Sequence, residues 1–517
     1  MQTAPRMHDA EAALPQSVVV GVVGAGTMGS GIAQVAATAG HRVLLLDARP
    51  GAAAAAIATL RAGLARLVDK GRLDAAQASA AGERLQAVEE LEQLACCGLV
   101  VEAIVEELEP KRQLLRSLEA LLADEAILAS NTSSISLTAI AAALRRPQRV
   151  AGLHFFNPAP VLPLVEVVAG MVSAPEVLRT LLATATAWGK TPVLASSTPG
   201  FIVNRVARPF YGEALRLAGE RAADPATIDA VCRDCGGFRM GPFEVMDLIG
   251  LDVNLAVTRS VWEGFFRDPR FTPSLMQHEL VAAGHLGRKS GRGFHDYREG
   301  AGPAAPAHEP AHPLPSRIEV LGASAAAEAL AERLAERGVA FSRGPGDGER
   351  IALADGATLY LSDGRTATRR AAESSVAASV VVDLARDYRS ATRLAIAPAL
   401  QCPPRQAQAA AGLLQGAGYT VSRLADTPGL VLMRTVAMLA NEAADAVQQG
   451  VCSAAAVDTA MRLGTNYPLG PLAWADALGV RQVVGVLDHL AAAYGEDRYR
   501  VSPYLRQRAL AGWNCHE

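Results

Sequence analysis

Residues 17–47 read "SVVVGVVGAGTMGSGIAQVAATAGHRVLLLD", and this stretch decides the fold. The first seven residues are a β-branched run ending on a glycine cluster. "SGIAQVAATAG" follows with helical character and stops at Gly40, and "HRVLLLD" reads as a second buried strand. Strand, glycine turn, helix, strand is the opening of a parallel α/β sheet. Gly24, Gly26 and Gly29 stand in G-x-G-x-x-G spacing directly after the strand, where the helix begins. Gly24 permits the tight turn, Gly26 presents no Cβ to an approaching pyrophosphate, and Gly29 lets the helix pack closely on the strand. The helix start, with Thr27 and Met28, offers free N–H groups to phosphates. Asp47 ends the second strand, where a carboxylate accepts from a ribose 2′-OH and repels a 2′-phosphate. The pattern predicts NAD rather than NADP, although Arg49 lies close by.

Further strands are expected at "GLVVEAIVE", "AILASNTS" and "RVAGLHFF", with a helix around 109–122; residues 52–94 have helical spacing. After Pro199 the chain looks mainly helical to about 290. "EGAGPAAPAHEPAHPLPS", residues 299–316, reads as an extended linker. Beyond it, "RIEVLGASAAAEALAERLAERGVAFSRG" again has strand, turn, helix and strand character.

"TPGFIVNR" at 198–205 then returns as "TPGLVLMR" at 427–434. At that same offset of 229 (Thr198 to Thr427), Pro199, Gly200, Arg205, Glu213, Asp229, Gly241, Pro242, Asp247 and Gly250 all recur. Register, glycine and proline kept together mark a duplication. The second copy keeps what turns and helix packing need but not the chemistry. It has one glycine of the phosphate fingerprint, "RLAIAPALQ" where the H-F-F-N run would fall, a shortened segment with no counterpart of Glu166, and Met433 in place of Asn204. Five segments are expected: a Rossmann-type domain 1–197, a helical domain 198–298, the linker 299–317, a degenerate Rossmann-like domain 318–425, and a second helical domain 426–517.

A chain of 517 residues accommodates several domains. Half its residues are hydrophobic and a fifth charged, and the net charge of -3 gives no reason to expect nucleic acid. The start, "MQTAPRMHDAEAALPQ", lacks an apolar signal core, and no apolar run is long enough to span a membrane. Seven cysteines in no disulfide-like pattern make the cytoplasm the default location. "CRDC" at 232–235 has no second pair, so packed thiols are expected there, with no metal.

"GLHFFNP" at 152–158 puts His154 at a strand end, where ligands bind in such sheets. Twelve residues on, Glu166 interrupts the apolar "LVEVV". A carboxylate there is costly to bury unless it is paired, so the two read as a base and its orienter.

With these runs in view, the sequence resembles the L-3-hydroxyacyl-CoA dehydrogenase family. "GAGTMGSGIA", "VEAIVE", "SNTSS", "HFFNP", "LVEVV", "TPGFIVNR", "GPFEVMDLIGLDV" and "GRKSGRGFHDY" carry the resemblance over about residues 17–298. It implies oxidation of a 3-hydroxyacyl-CoA with NAD, His154 being the general base and Glu166 its partner. Ser133 and Asn204 are then expected at the substrate oxygen, and Asn157 at the nicotinamide. Glu106, Lys111, Ser133 and Lys289 are expected at the cofactor, and Lys70 at coenzyme A phosphates. In single-lobe members the helical domain is the dimerisation surface, so either a homodimer or pairing of the two copies within one chain is expected. The long layout resembles bacterial enzymes of phenylacetate and adipate-type degradation acting on 3-hydroxyadipyl-CoA; a short-chain 3-hydroxybutyryl-CoA dehydrogenase is the alternative, with a role in fatty acid degradation. Two rivals are a small 3-hydroxyacid dehydrogenase, for which Lys190 is the available lysine, and a non-catalytic NAD-binding protein.

Overall fold

The computed structural model describes residues 13–302 and 304–517. The stretch where a signal core was sought, 1–12, lies outside them; no described helix is long and apolar enough to cross a membrane. The chain forms two compact units: Met1–Arg205 with Gln449–Thr465, and Val206–Gln448 with Asn466–Glu517.

The first unit is built on eight strands: β1 (Val19–Val23), β2 (Val43–Leu46), β3 (Leu85–Val88), β4 (Cys97–Glu102), β5 (Ile127–Ser130), β6 (Val150–Phe155), β7 (Leu164–Ala169) and β8 (Thr191–Ser196). Their order is β3-β2-β1-β4-β5-β6-β7-β8. All neighbours are parallel except β6 and β7. The first six strands have the doubly wound dinucleotide-binding order, with its crevice where the chain switches from β1 to β4. The strands β1, β2, β5, β6 and β7 are buried almost throughout, which is why they read as continuous apolar runs. Their residues and the helix Thr27–Thr38 make the core. The expected helical stretch 52–94 is a helical hairpin, Ala52–Asp69 and Ala75–Arg84, followed by β3. The short "LQAV" strand is buried only at Leu85 and Val88 and is too brief to stand out among alanine-rich helices.

The first unit also contains a helix from the second copy, Ala454–Thr465, packed on β7 and β8. The N–H of Ser196 in β8 donates to Val451 O at 2.8 Å. A Cβ on Gly464 would come within 2.7 Å of Leu164 and 3.1 Å of Val203, so glycine permits this close approach.

The second unit has seven strands: β9 (Ile318–Leu321), β10 (Ser342–Gly344), β11 (Arg350–Ala354), β12 (Ala357–Leu361), β13 (Ser379–Val382), β14 (Arg393–Pro398) and β15 (Thr420–Arg423). Their order is β10-β9-β11-β12-β13-β14-β15. Here β13 and β14 are antiparallel, and β14 and β15 parallel, as in β6, β7 and β8. This corrects the expectation for "RLAIAPALQ". The run forms β14, which begins 229 residues after β7 (Leu164 to Arg393); the helices that follow, Pro175–Ala187 and Pro404–Gly416, keep that offset. The spacing from Asp383 to Thr427 equals that from His154 to Thr198, so this segment has not been shortened. "RLAIAPALQ" replaces the Glu166 strand, so Ala395 stands at the Glu166 position and Asp383 at the His154 position.

The helical copies pack within this unit, Leu432–Gln448 against Arg208–Gly219. Arg434 is fully buried and donates to Glu213 at 2.7 Å, while Arg270 bonds Glu442 at 3.1 Å. The helix Pro225–Asp234 of the first copy packs on β14, as its repeat counterpart Ala454–Thr465 packs on β7. The "CRDC" thiols belong to that seam. Cys235 Sγ donates to Arg393 O at 3.1 Å, and burial pushes both thiols well above their ordinary range. Residues 304–315 have no regular structure; Glu309 N donates to Val421 O, so the linker lies along β15.

Candidate active site

The glycine turn has the form its spacing predicts. Gly24 has φ +104°, and a Cβ there would meet Ala103 O at 2.5 Å. A Cβ on Gly29 would fall 1.8 Å from Gly24 O. Above Gly26 nothing lies within 4 Å, so there is room for a phosphate. No side chain caps the helix Thr27–Thr38, leaving the first-turn N–H groups of Thr27 and Met28 available to an anion. Gly26 and Thr27 are exposed, while Met28 packs against the core. Asp47 Oδ2 accepts from Ala25 N at 2.7 Å and Oδ1 from Arg49 Nε at 3.0 Å. The Arg49 side chain, backbone N–H bonds and charge outweigh burial and hold Asp47 down at about 2, so it is a carboxylate at working pH. The turn, the uncapped helix and Asp47 fit a dinucleotide with a free 2′-OH.

His154 and Glu166 are opposite partners in the antiparallel register of β6 and β7. Both are buried; His154 Nδ1 lies 2.7 Å from Glu166 Oε2. A neutral imidazole that donates from Nδ1 to this carboxylate keeps the Nε2 lone pair free to accept a proton. Phe156 and Phe201 flank the imidazole with centroids at 4.6 and 5.8 Å. The other oxygen of Glu166 accepts from Ile202 N at 3.1 Å and Val203 N at 2.9 Å. Glu166 thus fixes both the imidazole and the turn that carries Asn204. That turn is the "TPGFIVNR" segment, with Gly200 at φ 75° and Phe201 at φ 47°.

Sequence reasoning missed how this site is braced. Glu102, at the end of β4, is buried and accepts from Lys111 Nζ at 2.6 Å, Ile104 N at 2.8 Å and Ser130 Oγ at 2.6 Å. Glu106 Oε1 takes Thr132 Oγ1 at 2.7 Å and Ser133 N at 2.8 Å. Lys111 Nζ sits 3.3 Å from Glu106 Oε2 and is 1 % exposed. Burial raises the Glu106 carboxyl, but the Lys111 charge and these hydrogen bonds outweigh it and lower the pKa. Lys111 and Glu106 therefore shape the loop that bears Ser133. Asn131 Oδ1 accepts from Phe155 N at 2.8 Å, tying β5 to the residue after His154. The signal was present in "VEAIVE" and "SNTSS", where polar groups close apolar strands.

Of the remaining expected residues, Asn157 is exposed just beyond β6. Lys70 is the exposed C-cap of the hairpin's first helix. Lys289 belongs to the second unit, 2.6 Å from Asp252. Lys190, on which one rival depends, is buried and donates to Ala159 O at 2.6 Å and Leu162 O at 2.9 Å, so it is spent on structure.

A doubly wound sheet with a fitted dinucleotide turn and a buried His–Glu pair defines a nicotinamide-dependent dehydrogenase. Residues 19–198 match the 3-hydroxyacyl-CoA dehydrogenase NAD-binding domain, and 200–297 and 429–515 the C-terminal domain of those enzymes. Residues 359–428 match the 3-hydroxybutyryl-CoA dehydrogenase reduced Rossmann-fold domain. The chain is 45% identical over 491 residues to 3-hydroxyadipyl-CoA dehydrogenase of Escherichia coli K12, covering 95% of this chain and 97% of that protein. It is 38% identical to the mitochondrial hydroxyacyl-coenzyme A dehydrogenase of Sus scrofa over 54% of this chain and 91% of that one. The crystal structure of 3-hydroxybutyryl-CoA dehydrogenase from Escherichia coli K12 superposes with a TM-score of 0.87 at 44% identity, covering 96% of this chain and 99% of that one. The chain belongs to the 3-hydroxyacyl-CoA dehydrogenase family, and its cofactor is NAD.

Proposed function

We propose that the chain oxidises the 3-hydroxyl of (S)-3-hydroxyadipyl-CoA or a closely similar acyl-CoA to the 3-oxo compound, at one catalytic centre in its first unit. The observation that carries this reading is the 2.7 Å bond from His154 Nδ1 to a carboxylate that also holds the N–H groups of Ile202 and Val203. When bound, NAD supplies the hydride acceptor for the hydrogen on C3. His154 Nε2 takes the hydroxyl proton, and Glu166 steadies the resulting imidazolium until that proton passes to solvent. Ser133 and Asn204 donate to the oxygen as negative charge develops; such a donor contributes about 3 kcal/mol. A positioned base contributes about 100- to 10,000-fold. Asn157 orients the nicotinamide side of the pocket, and Glu106 and Lys111 hold the Ser133 loop. Lys70 is the candidate for the coenzyme A phosphates.

The choice of a six-carbon dicarboxylic substrate rests on the name borne by the Escherichia coli relative that matches nearly end to end; the superposed structure bears the 3-hydroxybutyryl name. Initial rates of NADH formation with the two thioesters decide between them. A higher kcat/KM for 3-hydroxyadipyl-CoA is expected, and a preference for 3-hydroxybutyryl-CoA would reverse the assignment. Buried helix–helix pairing inside the second unit supports pairing of the two helical copies within a single chain. Light scattering separates a 53.9 kDa monomer from a homodimer. The free thiols fit a reducing compartment such as the cytoplasm, where degradation of fatty and aromatic acids through CoA thioesters takes place.

A further inference from the structure

Strand β5 ends at Ser130, and Asn131 follows it at the rim of the first sheet. Its backbone N–H donates to Glu102 O at 2.8 Å, which carries the pairing with β4 one residue further. Its side-chain Oδ1 accepts from Phe155 N at 2.8 Å. A backbone N–H only donates, so the carboxamide oxygen has to face Phe155, and that bond sets the direction of Nδ2. The neighbouring hydroxyls are engaged with protein. Ser130 Oγ donates to Glu102, and Thr132 Oγ1, Ser133 Oγ and Ser134 Oγ donate to Glu106. Among the described residues Asn131 Nδ2 has no acceptor. It is not sealed in the interior either: the residue is half-buried and this nitrogen keeps open surface.

Ala129, two residues earlier, and Phe155 both belong to the core shared with the helix Thr27–Thr38. Side chains alternate along a strand, so Asn131 stands on the face of the sheet that this helix covers. It also stands at the carboxyl end of the strands, where the glycine turn follows β1 and where ligands bind in such sheets. Along that rim the strands run β2-β1-β4-β5-β6. Asp47, at the end of β2, fits the adenosine ribose, and the glycine turn after β1 fits the pyrophosphate. An extended dinucleotide held at those two points continues over β4 and β5 toward His154 on β6. The part of NAD between the pyrophosphate and the nicotinamide ring is the second ribose, and Asn131 is the open donor along that stretch.

We propose that Asn131 is a cofactor-binding residue, whose Nδ2 donates to a hydroxyl oxygen of the nicotinamide-bearing ribose while Oδ1 keeps hold of Phe155 N. One carboxamide then ties the cofactor to the residue that follows His154. The inference rests on NAD being the cofactor and is independent of which acyl-CoA is oxidised.

The test is equilibrium binding to the full-length wild type and N131D, with no acyl-CoA present. N131D retains an oxygen for Phe155 N but has no hydrogen for the ribose. NADH is titrated by its fluorescence. AMP, which has the adenosine ribose and a phosphate but no nicotinamide half, is titrated by calorimetry. N131D is expected to bind NADH about 10-fold more weakly, the scale of one lost hydrogen bond, and to bind AMP as the wild type does. An unchanged affinity for NADH would overturn the proposal. So would an equal loss for AMP, which would make Asn131 a support of the fold alone. If N131D does not fold, a crystal structure of the wild type with NAD gives a direct reading. A ribose hydroxyl of the nicotinamide half is expected within hydrogen-bond reach of Asn131 Nδ2; a cofactor that leaves this nitrogen untouched contradicts the assignment.

Discussion

Glu166 has three donors around one carboxylate: His154 Nδ1 on one oxygen, and the N–H groups of Ile202 and Val203 on the other. Glutamine in its place offers one acceptor and two donors. Either the imidazole or the helix start then faces an N–H group, and the imidazole loses the partner that fixes its tautomer. E166Q is expected to lower kcat by about 1,000- to 10,000-fold, the scale known for an orienting carboxylate. It is also expected to cost about 1–3 kcal/mol of stability, because a buried donor is left unmet. Stopped-flow rates and urea denaturation of the same preparation check both; a variant with wild-type kcat would remove the orienting role. At this scale the sequence was informative because a charged residue inside "LVEVV" has to be explained. Glu102 and Asn131 stand inside "VEAIVE" and "SNTSS", but the motifs do not show which groups their side chains hold: Lys111, Ser130 and Ile104 N for Glu102, and Phe155 N for Asn131. Lys111 was read as a cofactor contact, yet its ammonium is spent on Glu102 and Glu106.

The recurring "TPG" element shows what a buried carboxylate does apart from chemistry. In the second sheet Asp383 accepts from Leu384 N, Val431 N, Leu432 N and Met433 N, and of these Val431 and Leu432 are the repeat counterparts of Ile202 and Val203. The anchor for the helix start has moved from the β7 position to the β6 position, and the histidine is gone. Asp383 is fully buried, and burial pushes its pKa up from 3.8 to about 6 against the pull of those four donors. The sign follows: the unfolded chain ionises near pH 4, the folded one near pH 6, so this group contributes less to stability as pH rises between them. The stability advantage of the wild type over D383N is expected to shrink from pH 4 to above pH 6, by about 3 kcal/mol at 1.36 kcal/mol per pKa unit. Denaturation of both proteins at several pH values measures the gap; a gap that is constant or widens with pH contradicts the account.

The helix Ala454–Thr465 is the other element whose role is felt at a distance, since Gly464 lets it approach Leu164 and Val203. G464V forces a branched side chain into that contact, an overpacking that costs about 1–3 kcal/mol. It displaces Val203, whose N–H holds Glu166, so a fall in kcat of up to about 100-fold with KM for NAD unchanged is expected. Steady-state kinetics at varied NAD decide it, and a variant with normal kcat would make this helix passive. Element types were legible where a helix kept a 3.6-residue period or a doubly covered strand stood as a continuous apolar run. The strand β3 lies inside an alanine-rich stretch that masks it, and the apolar run of β14 looks like that of β6, although the repeat offset of 229 pairs it with β7.

For the whole molecule, the duplication explains two sheets and two helical copies, and the offset of 229 holds from β14 to Gly479. What one-dimensional reading left out is that a segment of the second copy completes the first unit, while the first copy's helix Pro225–Asp234 packs on the second sheet. No local pattern encodes such an exchange, because each helix shows only an apolar face and not its partner. The second sheet has Asp383 and Ala395 where the first has His154 and Glu166, so of the two sheets the first alone pairs an imidazole with a carboxylate at these positions. Turnover of H154Q at saturating NAD and 3-hydroxyacyl-CoA tests this most directly. A loss of about 100- to 10,000-fold with NAD binding intact is predicted, whereas a variant that kept half or more of the wild-type rate would place the chemistry elsewhere in the chain.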